Sequence, residues 1–120
     1  MLLDSNIIIY AASDEKSPAL RFIEEQEKIY VSFVSYLEVL GYHHLPKEEE
    51  QYLIQFFNSV TMIMLEREIL YEAVKIRKLR SISLGDSLIA ATALTRKLPL
   101  VTHNTKDFES IKNLNLINPL

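Results

Sequence analysis

The stretch SISLGDSLIAATAL, Ser81 to Leu94, carries one acid, Asp86, and is small and apolar on every face beyond it. Its spacing predicts a helix over 84–97, and a helix that is apolar all round must be covered on every side. It therefore belongs at the centre of the fold. Directly after it comes LPLVT, Leu98 to Thr102, a short continuous apolar run of the kind that forms a buried strand.

Working outward, the same alternation recurs. MLLD at the start, IYVS (Ile29 to Ser32) and VTMIML (Val60 to Leu65) read as further buried strands, and LNLI (Leu114 to Ile117) as a weaker fifth. Helical spacing covers Pro18 to Glu27, Phe33 to His44, Pro46 to Ser59, Glu66 to Arg80 and Leu84 to Lys97. Pro18 and Pro46 suit first-turn positions, and the KEEE after Pro46 suits the positive end of a helix dipole. Short apolar strands alternating with helices imply a parallel sheet covered on both faces, a three-layer α/β/α domain. In such sheets ligands bind beyond the carboxyl ends of the strands, so the residues just after each strand matter most. They are DSN after the first, SFVSYLE after the second and THNTKD after the fourth, while GDS opens the helix leading into the fourth.

A length of 120 residues fits one compact domain, 1–120, and 48% hydrophobic residues are enough for a real core. Cysteine is absent, which excludes disulfides, thiolate catalysis and cysteine-bound metal centres. The apolar start has no basic leader and is interrupted by Asp4, Ser5 and Asn6, so neither a signal peptide nor a membrane span is expected, and the reading is a soluble, cytoplasmic protein. A formal net charge of −3 weighs against nucleic acid unless the contact is local or metal-mediated.

Four acids fall on the expected ligand-binding edge, each with an ordinary alternative. Asp4 could simply cap a helix over SNIIIY. Glu38 shares the S-x-x-E spacing of a capping box with Ser35. Were Ser32 the cap instead, Glu38 would lie in the second turn, too deep to cap. Asp86 could cap its own helix, and Asp107 could be a solvated turn residue. Together they say more. Four like charges in one cleft raise one another's pKa values and need compensation, which hard cations such as Mg²⁺ or Mn²⁺ supply through oxygen ligands. Two such ions would turn the formal −3 into +1 and remove the objection to phosphate.

LLDSNIIIY, SFVSYLEVL, SLGDSLIAATAL and LVTHNTKDF resemble, in order, the four motif blocks of PIN-domain ribonucleases, in particular the VapC-type toxins of toxin–antitoxin pairs. The first and third blocks are the most specific. The resemblance puts Asp4, Glu38, Asp86 and Asp107 on the family's metal-binding acids, Ser5 and Asn6 on its Thr/Ser and Asn, Ser35 on the polar place before the glutamate, and Thr102 and Asn104 on the polar pair before the last acid. His103 departs from a position where a basic residue, often Arg, is common. The resemblance implies a five-stranded parallel sheet, a Mg²⁺- or Mn²⁺-dependent endoribonuclease, a homodimer, and a cognate antitoxin protein covering the active site.

On that reading Asp4 and Asp86 hold metal, Glu38 binds metal or orients the attacking water, and Asp107 acts through a water or a second ion. Ser5, Thr102 and Asn104 hold the carboxylates, and His103 and Lys106 are the candidate phosphate contacts for RNA. The run Lys75, Arg77, Lys78 and Arg80 serves equally as a solvated complement to a helix terminus. His43 and His44 have no spaced partners and no metal role. Tyr52, Leu53, Phe56 and Phe57 share a helical stripe that is core or a partner surface. A receiver-like domain would need an acidic pair that Asp4 lacks, and a haloacid-dehalogenase-type phosphatase would need Asp at position 6. The remaining alternative is a PIN-like protein- or RNA-binding module without turnover.

Overall fold

The computed structural model describes residues 1–120. Five strands, β1 (Leu2–Leu3), β2 (Tyr30–Ser32), β3 (Thr61–Ile63), β4 (Leu100–Val101) and β5 (Leu116–Ile117), form one all-parallel sheet in the order β3-β2-β1-β4-β5. Six helices connect them: α1 (Ser5–Ser13), α2 (Pro18–Glu24), α3 (Phe33–Leu40), α4 (Lys47–Ser59), α5 (Arg67–Leu79) and α6 (Leu84–Arg96). A single 3-10 turn, Thr105–Asp107, follows β4.

The strands are two or three residues long, yet every one is a run predicted from its apolar residues. Alternation explains how so little strand holds two layers apart. Leu2 and Leu100 point into a core shared with α5 and α6 (Ile69, Ile76, Ile89, Ala90), whereas Leu3, Val31 and Val101 point into a core shared with α1, α2 and α4 (Ile7, Ala19, Leu53, Phe57). These layers are the α/β/α sandwich expected from the sequence. The α6 residues Ile89, Ala90, Ala91 and Ala93 are wholly buried, as an all-round apolar helix requires. Leu53, Phe56 and Phe57 are buried too, so the aromatic stripe of α4 is core.

Some boundaries differ from the expectation. Helix α2 ends at Glu24, three residues early, and α3 ends at Leu40 rather than His44. Glycine stands at the second stop: the Gly41 amide donates to the Leu37 carbonyl at 2.9 Å, and a Cβ at Gly41 would lie 2.3 Å from that same oxygen. Pro18 does occupy the first turn of α2, behind a Ser17 cap. Pro46 stands one residue outside α4, at the cap position, where its extended ψ of 144° turns the chain in and its carbonyl takes the Glu50 amide at 2.9 Å. Glu48, Glu49 and Glu50 then fill the positive first turn. Helix α1 follows from the Asp4 cap and has no separate helical period in the sequence.

Candidate metal centre at the carboxyl edge

The register of the sheet builds the site. Leu3 pairs with Val31 on one side and with Val101 on the other, so the next residues, Asp4, Ser32 and Thr102, are neighbours at one carboxyl edge. All three are polar and buried. Ser32 caps α3, its hydroxyl accepting from the Val34 amide at 3.1 Å. This settles the capping question for that helix: the Ser35–Glu38 box does not form, and Glu38 lies in the second turn.

Asp4 caps α1, one carboxylate oxygen accepting from the Ser5 amide at 2.8 Å, but it does more. Its other oxygen accepts from the Thr102 hydroxyl at 2.7 Å, a buried bond across 98 residues of sequence. Thr102 Oγ1 in turn accepts from the Asn104 amide at 3.1 Å. The Asn104 amide thus braces the hydroxyl that holds Asp4. Asn6 Oδ1 accepts from the His103 amide at 3.5 Å, tying the loop after β4 to α1.

A second relay runs beside the first. Ser5 Oγ lies 2.9 Å from Ser35 Oγ and 2.8 Å from Glu38 Oε1. Ser5 has a single hydroxyl proton. With that proton given to the ionised Glu38, buried Ser35 donates to Ser5, and the chain Ser35 to Ser5 to Glu38 is satisfied throughout. Glu38 itself is exposed on α3.

Asp86 does not cap α6. Ser83 does, its hydroxyl accepting from the Asp86 amide at 3.1 Å, and Asp86 is the third residue of the helix. The signal was legible as S-x-x-D spacing, a capping box with Asp in place of Glu. Asp107 closes the 3-10 turn, exposed, with its amide on the Asn104 carbonyl at 3.1 Å. His103 and Lys106 are exposed on the same loop, the His103 ring edge-on to Tyr10 with centroids 5.8 Å apart. Arg80 is engaged locally, its guanidinium donating to the Ile76 carbonyl at the end of α5 and to the Ser110 carbonyl.

Charge ties the acids together. Burial pushes the Asp4 carboxyl up to about 6; the Thr102 hydroxyl and Ser5 amide pull it back, while the charges of Asp86 and Glu38 push it further up. Asp86 is raised as well, first by burial, with Asp107 and Glu38 adding repulsion and the Ser83 hydroxyl opposing. Each shifted acid thus feels two others from separate segments. No three acidic or histidine side chains stand close enough to grip an ion as they are, so this is an acidic edge and not a closed cage. The donor set is nonetheless all oxygen, which suits a hard divalent cation. Volume points elsewhere: the largest hollow, about 410 Å³, sits at the opposite edge between the end of α6 and the approach to β5, with Glu72 its one acid. A groove of about 340 Å³ adjoins Glu38, lined by Ile9, Ala12, Val39, Tyr42 and Leu53.

No helix is long and apolar enough to cross a membrane. Among curated proteins no sequence matches the chain. Solved structures do. A chain of a toxin–antitoxin complex from Klebsiella pneumoniae is 28% identical with a TM-score of 0.81, over 99% of this chain and 97% of that one. A chain of VapBC2 from Rickettsia felis, bound to a DNA fragment from its promoter, is 27% identical with a TM-score of 0.82, over 98% and 96%. One from a DNA-bound VapBC of Salmonella typhimurium shares the fold at a TM-score of 0.85 and 20% identity, over 99% and 97%. The family model that matches, the PIN domain, covers residues 1–114, and so the parallel sheet with acids along its carboxyl edge is that of a chain belonging to the PIN domain family.

Proposed function

We propose that this chain is a divalent-metal-dependent endoribonuclease, the toxin of a VapBC-type toxin–antitoxin pair. The observation that carries the reading is the mutual repulsion of acids from four separate segments at one edge of a PIN domain sheet, an arrangement that cations relieve. Asp4 and Asp86 would hold Mg²⁺ or Mn²⁺, with Glu38 and Asp107 completing the acidic set. The ion, when bound, supplies positive charge against the scissile phosphate and acidifies a water.

The chain's own groups do the positioning. Thr102 and the Ser5 amide fix both oxygens of Asp4, so its remaining lone pairs are aimed before any ligand arrives. Ser5 holds one oxygen of Glu38 and leaves the other free to bind the ion or orient a water. Lys106 and His103, exposed beside Asp107, would meet RNA phosphate. The apolar groove beside Glu38 suits a segment of the antitoxin, which would cover the acids as it docks. Exposed Leu70, Tyr71, Val74 and Leu79 on α5 and Leu84 on α6 offer a surface for a homodimer, which sedimentation of the purified chain would report. The complexes in which similar chains are found support the partner, and the cytoplasm is the proposed place of action.

The test is direct. Purified protein is incubated with structured and unstructured RNA in Mg²⁺ or Mn²⁺, with and without chelator, beside Asp4→Asn. Metal-dependent cleavage lost in the variant is expected. Cutting that survives chelation rejects the mechanism, and no cutting of any RNA points to a binding module without turnover.

A further inference from the structure

The chain has two glycines, and the backbone accounts for one of them. Gly41 is required where α3 stops, against the Leu37 carbonyl. Gly85 has no such excuse. It is the second residue of α6, its φ is not in the left-handed region, and glycine there weakens the helix relative to alanine. What distinguishes the position is what a side chain would meet. A Cβ on Gly85 would stand 3.1 Å from Glu38 Oε2, against 3.6 Å from Glu38 Cδ and 3.7 Å from Val34 Cγ1. The last two are ordinary contacts. Only the carboxylate oxygen is tighter than ordinary contact, and it would have to give way by a few tenths of an ångström.

We infer that Gly85 is a positioning residue for Glu38: its missing side chain leaves the space in which the α3 carboxylate lies against the mouth of α6, next to Asp86. Glu38 is exposed, and its carboxylate is set from two sides. Ser5 takes one oxygen by a 2.8 Å hydrogen bond, and the gap over Gly85 admits the other. A methyl group at position 85 would displace the end of a flexible side chain and leave the core intact. The helix would gain and the acid set would lose. This inference rests on the proposal that Glu38 serves a bound divalent ion.

The experiment is calorimetric titration of Mn²⁺ into wild type, Gly85→Ala, Glu38→Asp and the double variant, with thermal melts of each metal-free protein. Gly85→Ala should bind Mn²⁺ about 10-fold more weakly, the low end for a residue that orients a ligand, while melting no lower than wild type. Glu38→Asp draws the carboxylate back by one methylene, so adding Gly85→Ala to it should cost no further affinity. Equal affinity in Gly85→Ala and wild type overturns the inference. So does a loss of the same size in the Glu38→Asp background, or a drop in melting temperature that Glu38→Asp does not restore, since glycine would then act on the helix and not on the acid. A wild-type protein that takes up no Mn²⁺ overturns the metal reading itself, and this inference with it.

Discussion

Two hydroxyl relays end on carboxylates at the same sheet edge, and they hold them by different means. Thr102 to Asp4 is buried, with both oxygens of the acid satisfied by a neighbouring strand and a helix start. Ser35 to Ser5 to Glu38 begins in the core and finishes on an exposed acid whose free oxygen rests over Gly85. The buried relay fixes its acid at an electrostatic cost, visible in the raised Asp4 carboxyl. The exposed relay leaves its acid in solvent and holds it by one oxygen. The lesson is that one acid is set by the sheet and the other by the space between helices.

The largest effect should come from breaking the buried side. Asp4→Asn is expected to lower RNA cleavage by more than ~100-fold, since it removes a charged ligand rather than a group that orients one. Its stability should move the other way. The folded chain binds a proton at Asp4 that the unfolded chain has already released between the ordinary value of 3.8 and about 6. This group's contribution is therefore fully present below the lower value and is lost as pH rises through the upper one, about 3 kcal/mol in all. Urea midpoints of the metal-free wild type should fall relative to those of Asp4→Asn from pH 4 to 7.5, and saturating Mn²⁺ should shrink the difference. Parallel pH profiles of the two proteins would contradict the burial argument.

Next in size is Thr102→Val, which keeps the shape and removes the donor to Asp4. Mn²⁺ affinity should drop by ~10- to 100-fold, and stability at pH 7.5 by about 1–3 kcal/mol for a charged acceptor left short of a partner. Calorimetry and denaturation check the two halves separately. Ser5→Ala tests the exposed relay. It spares the amide on Asp4, frees Glu38 and leaves buried Ser35 without its partner, so a loss of roughly 10-fold in cleavage is expected. A loss as large as that of Thr102→Val would erase the contrast between the relays. The smallest effect belongs to Asp107→Asn, where solvent screens the exposed charge: a change in Mn²⁺ affinity below ~10-fold by calorimetry.

Much of this was legible in the residues. Strand runs as short as LL and LV could be placed because parallel strands buried on both faces need no alternation, only continuous apolar side chains between helices. Ser32 and Ser35 both read as caps for α3, and the structure selects Ser32, which directly follows the strand. The α1 helix was harder, since SNIIIYAAS is as apolar as a strand and only the polar cap marks its start. For Asp86 the residues leave capping open as an alternative to a place in the acidic set; the Ser83 cap removes that alternative and leaves Asp86 as the third residue of α6. Gly85 lay hidden for a different reason. The side chain that needs its space belongs to a residue 47 positions earlier, and no local pattern records that meeting.

Metal-dependent cleavage at this edge requires the separated acids to share one ion. Crystals soaked in Mn²⁺ and measured for its anomalous scattering test this most directly. The prediction is a peak at coordination distance from carboxylate oxygens of both Asp4 and Asp86, absent in Asp4→Asn crystals. A protein that takes up Mn²⁺ only away from these two acids, or not at all under conditions where it cuts RNA, would contradict it.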